Sequence, residues 1–227
     1  MRAIVAFLFV VAVAGCVGGA GVTSTQGKLL VGITDAAVDS STVTSVIITV
    51  ESAEVHSASA DSWTTISSSA KTYDLMQLDS QDVVKLFGEA TLDAGTYNQM
   101  RLDISNVAVT INGTTSDAKL PSSRIEIPVT VVVNANSTSA VVLDFQADQS
   151  LHATGNGTVI MAPVIHVKST SNASASVSGD NVEVSGGRTD DDKEVGMDAE
   201  GHVGVGLRIA ANAKLNVGAN GKISIGA

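Results

Sequence analysis

The stretch Leu92-Asp93-Ala94-Gly95-Thr96-Tyr97 constrains this chain more than any other. An apolar residue, a tight turn at Ala94-Gly95 and then Tyr97 opening a strand have the spacing of a tyrosine corner. In that device the phenol packs beneath a crossover between two sheets, and its hydroxyl donates to backbone a few residues upstream. A buried tyrosine needs such a partner, so the motif dictates how two sheets join. Beyond the corner, residues 97–111 set Met100, Leu102 and Ile104 against Gln99, Arg101 and Asp103. That two-residue period is the mark of a half-buried strand. Asn112-Gly113 at its far end is a type I′ hairpin signal.

Further strands are predicted at residues 28–34, 43–56, 63–66, 72–75, 124–133, 138–147 and 159–168. In the second of these Val46, Ile48 and Val50 share a face. Pro128 cannot donate to a ladder, so residues 124–133 should lie at a sheet edge or bulge there. Residues 75–87 fit a short helix or an irregular strand pair; the β-rich surroundings favour strand. Turn signals separate the strands throughout, and small and β-branched residues dominate while aromatics make up only 3%. The expected fold is all-β: an antiparallel Greek-key β-sandwich of immunoglobulin- or transthyretin-like type, with a small β-rich C-terminal extension.

The N-terminus carries an address. Met1-Arg2 precedes an apolar run, then Gly15 and the only cysteine, Cys16. A charged start, a short apolar core and small residues before a break form a secretory signal over residues 1–15. Val13-Ala14-Gly15-Cys16 resembles the lipobox of prokaryotic lipoproteins, which implies Cys16 as the lipidated N-terminus and residues 16–26 as a Gly/Thr/Ser tether. The alternative is an uncleaved anchor, since the 20 residues from Ala3 to Val22 are uncharged and barely long enough to span a bilayer. Their Gly-rich second half favours the lipoprotein. Either way the domain is expected outside the cytoplasmic membrane, at the cell surface or envelope. A formal charge of −10 without a Lys/Arg run argues against nucleic acid as a partner.

After the domain at residues 27–168, Ser, Ala and Asn dominate residues 169–179, which read as a linker. Residues 180–227 read as an acidic loop followed by a Gly-spaced β segment. The segment repeats Val203-Gly204-Val205-Gly206-Leu207, Lys214-Leu215-Asn216-Val217-Gly218 and Lys222-Ile223-Ser224-Ile225-Gly226. It has too little core to fold alone. It would pack on the sandwich, pair with other copies or stay partly disordered.

Several dispersed pieces, in order, carry a family resemblance. They are residues 30–39 (Leu-Val-Gly-Ile-Thr-Asp-Ala-Ala-Val-Asp), Val55-His56, Trp63, residues 73–78, the corner at 92–102, residues 143–148 and Ala162-Pro163-Val164-Ile165. Together they resemble the DUF4382 domain of bacterial and archaeal surface lipoproteins over roughly residues 27–168. Ala37 departs from the proline usual after the Asp-Ala pair. The resemblance implies architecture and location, and no reaction.

Few residues offer chemistry. The four histidines, His56, His152, His166 and His202, fall in different elements. His56 and His166 end apolar strands and would form a zinc or copper site if they met Asp35 or Asp74. Carboxylates suit Ca²⁺ better: Asp190-Asp191-Asp192 in the acidic loop, Asp35 and Asp39 about one turn, and Asp144 and Asp148 about a strand end, all as weak sites. Trp63, the sole tryptophan, is a candidate stacking platform for a sugar. Ser68-Ser69-Ala70-Lys71 has Ser-x-x-Lys spacing but lacks the helix start that would activate the serine, so an enzyme is not expected. Asn112, Asn136, Asn156 and Asn172 are N-glycosylation acceptors in form. The expectation is a non-catalytic, lipid-anchored surface protein whose sandwich binds a glycan or envelope component. The alternatives are an assembly subunit of a surface layer or filament, self-associating through its C-terminal strands, or an envelope metal-binding protein.

Overall fold

The computed structural model describes residues 25–35, 42–218 and 222–225. The expected leader, Cys16 and almost all of the tether lie outside those residues, as does Asp39. The first half of the chain runs β1 (Gln26–Asp35), β2 (Val43–Ser57), β3 (Ser62–Ser67), β4 (Lys71–Asp74), α1 (Leu75–Gln81), β5 (Val84–Asp93), β6 (Gly95–Ile111), β7 (Thr114–Asp117) and β8 (Arg124–Val133). It continues through β9 (Thr138–Phe145), α2 (Ala147–Ser150), β10 (Leu151–Ala153), β11 (Val159–Met161), β12 (Val164–Ser171) and β13 (Ser174–Ser178). The last elements are β14 (Asn181–Ser185), β15 (Arg188–Met197), β16 (Val203–Val205), β17 (Leu215–Val217) and β18 (Ile223–Ile225).

These strands form an all-β sandwich. One sheet has the order β13-β14-β5-β1-β9-β12-β15-β16; the other has β3-β2-β6-β7, with β4 also on β2 and β8 on β6. The first sheet is mixed, because β1 and β9 run parallel while their other neighbours are antiparallel. The core lies between the sheets. Leu29, Val31 and Ile33 of β1, Val46, Ile48 and Val50 of β2, and Met100, Leu102 and Ile104 of β6 are all essentially inaccessible. Each such side chain contributes about 1.5–3 kcal/mol of burial. Among the described residues, no helix is long and apolar enough to cross a membrane.

At the Leu92–Tyr97 corner the chain changes sheets within one residue. Asp93 still pairs with Gln26 of β1, whereas Gly95 already pairs with Val133 of β8. Leu92 and Tyr97 are buried, and the Tyr97 hydroxyl donates to the Asp93 carbonyl at 3.0 Å. Burial raises the Tyr97 pKa, with the nearby Asp93 carboxylate adding to the effect. Gly95 itself is not sterically required, since an added Cβ there would meet nothing within 4 Å. At the hairpin between β6 and β7, Asn112 and Gly113 both take positive φ (49° and 78°), as a type I′ turn demands.

Pro128 sits on a strand that is both at an edge and bulged. Tyr97 pairs with Val131 and Gln99 with Pro128, so two residues of β8 oppose one of β6. The other side of β8 is closed by side chains from the first sheet. Ser139 Oγ donates to the Val132 carbonyl at 2.7 Å, Ser169 Oγ donates to the Thr130 carbonyl, and Thr130 N–H donates to Asp191 Oδ2 at 2.8 Å. Backbone groups that would otherwise form a sticky edge are thereby satisfied.

Three expectations need correction. Residues 75–81 are helical, because Leu75 and Leu78, one turn apart, bury together while the strand rhythm fails. Residues 169–179 are no linker: β12 runs to Ser171, and β13 follows after a turn at Asn172 (φ 53°). Their serines belong there because Ser169 is needed small and polar beneath β8. The acidic loop is also a strand: β15 pairs with β12 along its length, and β14 pairs with β5, so residues 180–197 complete the first sheet.

Tyr97→Phe, which keeps the ring and deletes one hydrogen bond, is expected to cost about 1 kcal/mol. Urea unfolding would show it as a lower midpoint at unchanged slope. A chain ending at Pro163 is expected to lose cooperative unfolding, because β9 loses its neighbour β12 and the first sheet every strand beyond it; circular dichroism melting checks this.

Candidate ligand-binding groove

On the outer face of the first sheet lies a groove of about 360 Å³. Its floor follows from strand alternation. Ile165, Val167 and Ser169 of β12 point inward, so His166, Lys168 and Thr170 point out into the groove. In register beside them stand Asp144, Val142 and Ala140 of β9. On the other side of β12, Glu194 pairs with His166 and Asp192 with Lys168. The roof is Val184-Ser185-Gly186, at the end of β14. Strand β14 pairs with β5 only at Asn181 and Val182, so its second half is free to stand over the sheet. The same hairpin covers the outer face near β1, where Leu30, Ala175 and Val177 line one cleft and Leu30 is buried.

The groove combines an apolar strip with the Asp144 carboxylate, a lysine, an imidazole and hydroxyls. His166 Nε2 contacts Asp192 Oδ1 at 2.7 Å, which orients the ring. Such a surface can accept and donate hydrogen bonds to a polar, extended molecule. Among the described residues it offers no nucleophile–base pair.

The other sequence candidates are dispersed. Trp63 is half-buried on β3, with the Arg101 guanidinium 4.1 Å from its ring centroid and the His56 ring 5.0 Å away, tilted by 58°. Protein groups therefore occupy the neighbourhood where a sugar would stack. Arg101 is tied to Glu54, and His56 to Asn98 at 3.0 Å and Asp61 at 3.2 Å. The proposed zinc or copper set does not assemble. His56 belongs to one sheet and His166 to the other, while Asp74 bonds Ser45 Oγ and Val46 N–H. Nor do the three consecutive aspartates converge. Asp190 pairs with Arg188 at 2.6 Å, Asp191 with Lys193 at 2.7 Å and Asp192 with His166, because successive strand side chains face opposite ways. Burial alone would raise the Asp191 carboxyl, but Lys193 and the Thr130 N–H hold it below the usual range. Lys71 of the Ser-x-x-Lys stretch donates to the Leu86 carbonyl at 2.8 Å. Among the described residues, no group of three His, Cys, Asp or Glu side chains is arranged to hold a metal ion.

All four sequon asparagines lie at turns. Asn112, Asn136 and Asn172 take positive φ, and Asn156 accepts from Thr154 Oγ1 and from Thr158 N–H. Asp35, at the end of β1, is 5% exposed, and Ala147 N–H donates to its Oδ1 at 3.2 Å. Burial pushes its pKa up to about 8; the Ala147 hydrogen bond opposes that rise, and Asp144, Asp79 and Asp148 add to it.

Sequence reasoning reached His166 but missed Lys168, Thr170 and the roof. The signals were present in the His166-Lys168-Thr170 alternation and in the glycines at 179, 186 and 187, which take positive φ and turn the strands about the hairpin.

The class that the geometry defines is a mixed-sheet β-sandwich with an open polar groove on one outer face. The chain belongs to the family described as Domain of unknown function (DUF4382), which matches residues 26–163. No curated protein and no solved structure matches it.

The raised Asp35 pKa sets a pH dependence. A carboxyl ordinarily near 3.8 and lifted to about 8 in the fold binds its proton more tightly when folded. Its effect is therefore most favourable below pH 4 and is lost as pH rises through 8. In metal-free buffer, Asp35→Asn is expected to match wild type near pH 4 and to exceed it increasingly up to pH 8. The gap should grow by at most about 1.4 kcal/mol per pH unit. Urea unfolding at a series of pH values checks it.

Proposed function

We propose that this chain is a non-catalytic, lipid-anchored cell-surface protein whose sandwich binds an extracellular glycan or envelope polymer in the groove beneath the β13–β14 hairpin. The observation carrying this reading is the groove itself, a rigid strand floor with outward His166, Lys168 and Thr170 under the Val184–Gly186 roof. Hydroxyl-bearing polymers are bound by just such mixed donors and acceptors beside an apolar strip. The signal-like N-terminus and Cys16 support export and lipidation, with the protein exposed at the envelope. Trp63, with Arg101 and His56 against it, takes a structural part in this reading.

A second reading, an assembly subunit of a surface layer or filament, has one observation in its favour. Strand β16 ends the first sheet, pairs only with β15 among the described residues, and leaves Val205 63% exposed. A neighbouring strand could add there.

The test is a binding screen of the full chain, in detergent, against soluble glycans and envelope polymers. Lys168→Ala and His166→Ala are expected to weaken binding at least about tenfold, on the scale of a lost charged hydrogen bond, and Trp63→Ala to leave it unchanged. Loss of binding in Trp63→Ala alone, or no binding by wild type, overturns the groove. Self-association abolished by Val205→Lys would favour the assembly subunit instead.

A further inference from the structure

Asp35 is the most buried carboxyl of the described chain that has no cationic partner. It points inward beside its register partner Phe145, at the carboxyl end of the parallel pair β1 and β9. Four other buried or half-buried acids stand beside a base: Glu54 by Arg101, Asp103 by Arg124, Asp190 by Arg188 and Asp191 by Lys193. The charges that act on Asp35 belong to Asp144, Asp79 and Asp148, all of them negative. Its Oδ1 accepts from Ala147, but its Oδ2 is buried without a hydrogen-bond partner among the described residues.

Neither protonation state suits that environment. An ionised carboxylate leaves a charge desolvated and unpaired, which proteins seldom tolerate. A neutral acid places an O–H at Oδ2, which has no acceptor among the described residues, and a buried orphan donor carries its own cost. A bound cation answers both problems at once. The donors are carboxylate oxygens without imidazole or thiolate, which suits a hard ion such as Ca²⁺ over zinc or copper. Helix α2 carries Asp148 next to Ala147, and α1 carries Asp79 against β1.

We infer that the carboxyl end of the β1/β9 pair is a divalent-cation site, with Asp35 Oδ2 as its inner ligand and the carboxylates of Asp79 and Asp148 as its outer partners. Since three acidic side chains do not already converge there, waters and backbone oxygens complete the shell. Affinity then falls in the weak extracellular class, with Kd of about 10⁻⁴–10⁻³ M. The site stands on the inner side of the sheet and is independent of the groove on its outer face.

The experiment uses the full chain in detergent, stripped with EGTA and titrated with CaCl₂ at constant ionic strength. Calorimetry and thermal melting are the two readouts. Wild type is expected to bind one Ca²⁺ saturably and to melt at higher temperature as Ca²⁺ rises. Asp35→Asn should bind at least about tenfold more weakly and melt independently of Ca²⁺. Asp79→Asn and Asp148→Asn should each weaken binding several-fold. Asp192→Asn, which removes the same charge from the outer face, should bind as wild type does. Non-saturable uptake by wild type, or equal binding by wild type and Asp35→Asn, overturns the site. If Asp35→Asn does not fold, unchanged binding in both Asp79→Asn and Asp148→Asn overturns it equally.

Discussion

The sandwich depends on β12 being paired along both sides. Strand β12 holds β9 on one flank and β15 on the other, and it delivers Ile165 and Val167 to the core. The match to the family ends at residue 163, one residue before this strand begins. The matched region therefore holds only β5, β1 and β9 of the first sheet in this chain. The sheet continues through β12, most of which the sequence predicts as strand, into β15 and β16, which it does not.

That arrangement also explains how the edge of β8 is kept quiet. Ser139 and Ser169 are fully buried, yet each spends its hydroxyl on a β8 carbonyl, and Asp191 takes a β8 N–H. The two sheets are thus joined by polar contacts at one margin and by the Tyr97 crossover at another. Between these seams the packing is aliphatic. With aromatics at only 3% of the chain, valine, isoleucine and leucine supply nearly all of it.

The sandwich was legible wherever one face is wet and the other dry. Val46, Ile48 and Val50, or Met100, Leu102 and Ile104, announce strands because water enforces the alternation. Legibility failed where side chains pair with one another. The run Arg188 to Lys193 has no apolar rhythm, and it is a strand because each aspartate meets a base across or along the sheet. Ser169 and Ser171 look like linker residues, and their burial follows from contacts far away in sequence. For the groove, one residue in three of the His166-Lys168-Thr170 row was visible as chemistry. The roof was invisible because it depends on a hairpin in a stretch whose partners, β5 and the outer face of β1, lie some 90 residues or more upstream.

The β13–β14 hairpin divides the molecule's labour in a way that bears on how such domains diversify. Its roof residues, Val184 to Gly186, come from outside the matched family region, while much of the floor, from Thr34 to Asp144, comes from inside it. Exchanging that hairpin would reshape the mouth of the groove and leave the aliphatic interior and the Tyr97 seam untouched. Strand β12, in contrast, serves both faces at once, with Ile165 and Val167 in the core and His166, Lys168 and Thr170 in the groove. The rim of the groove is thus open to variation that its floor is not.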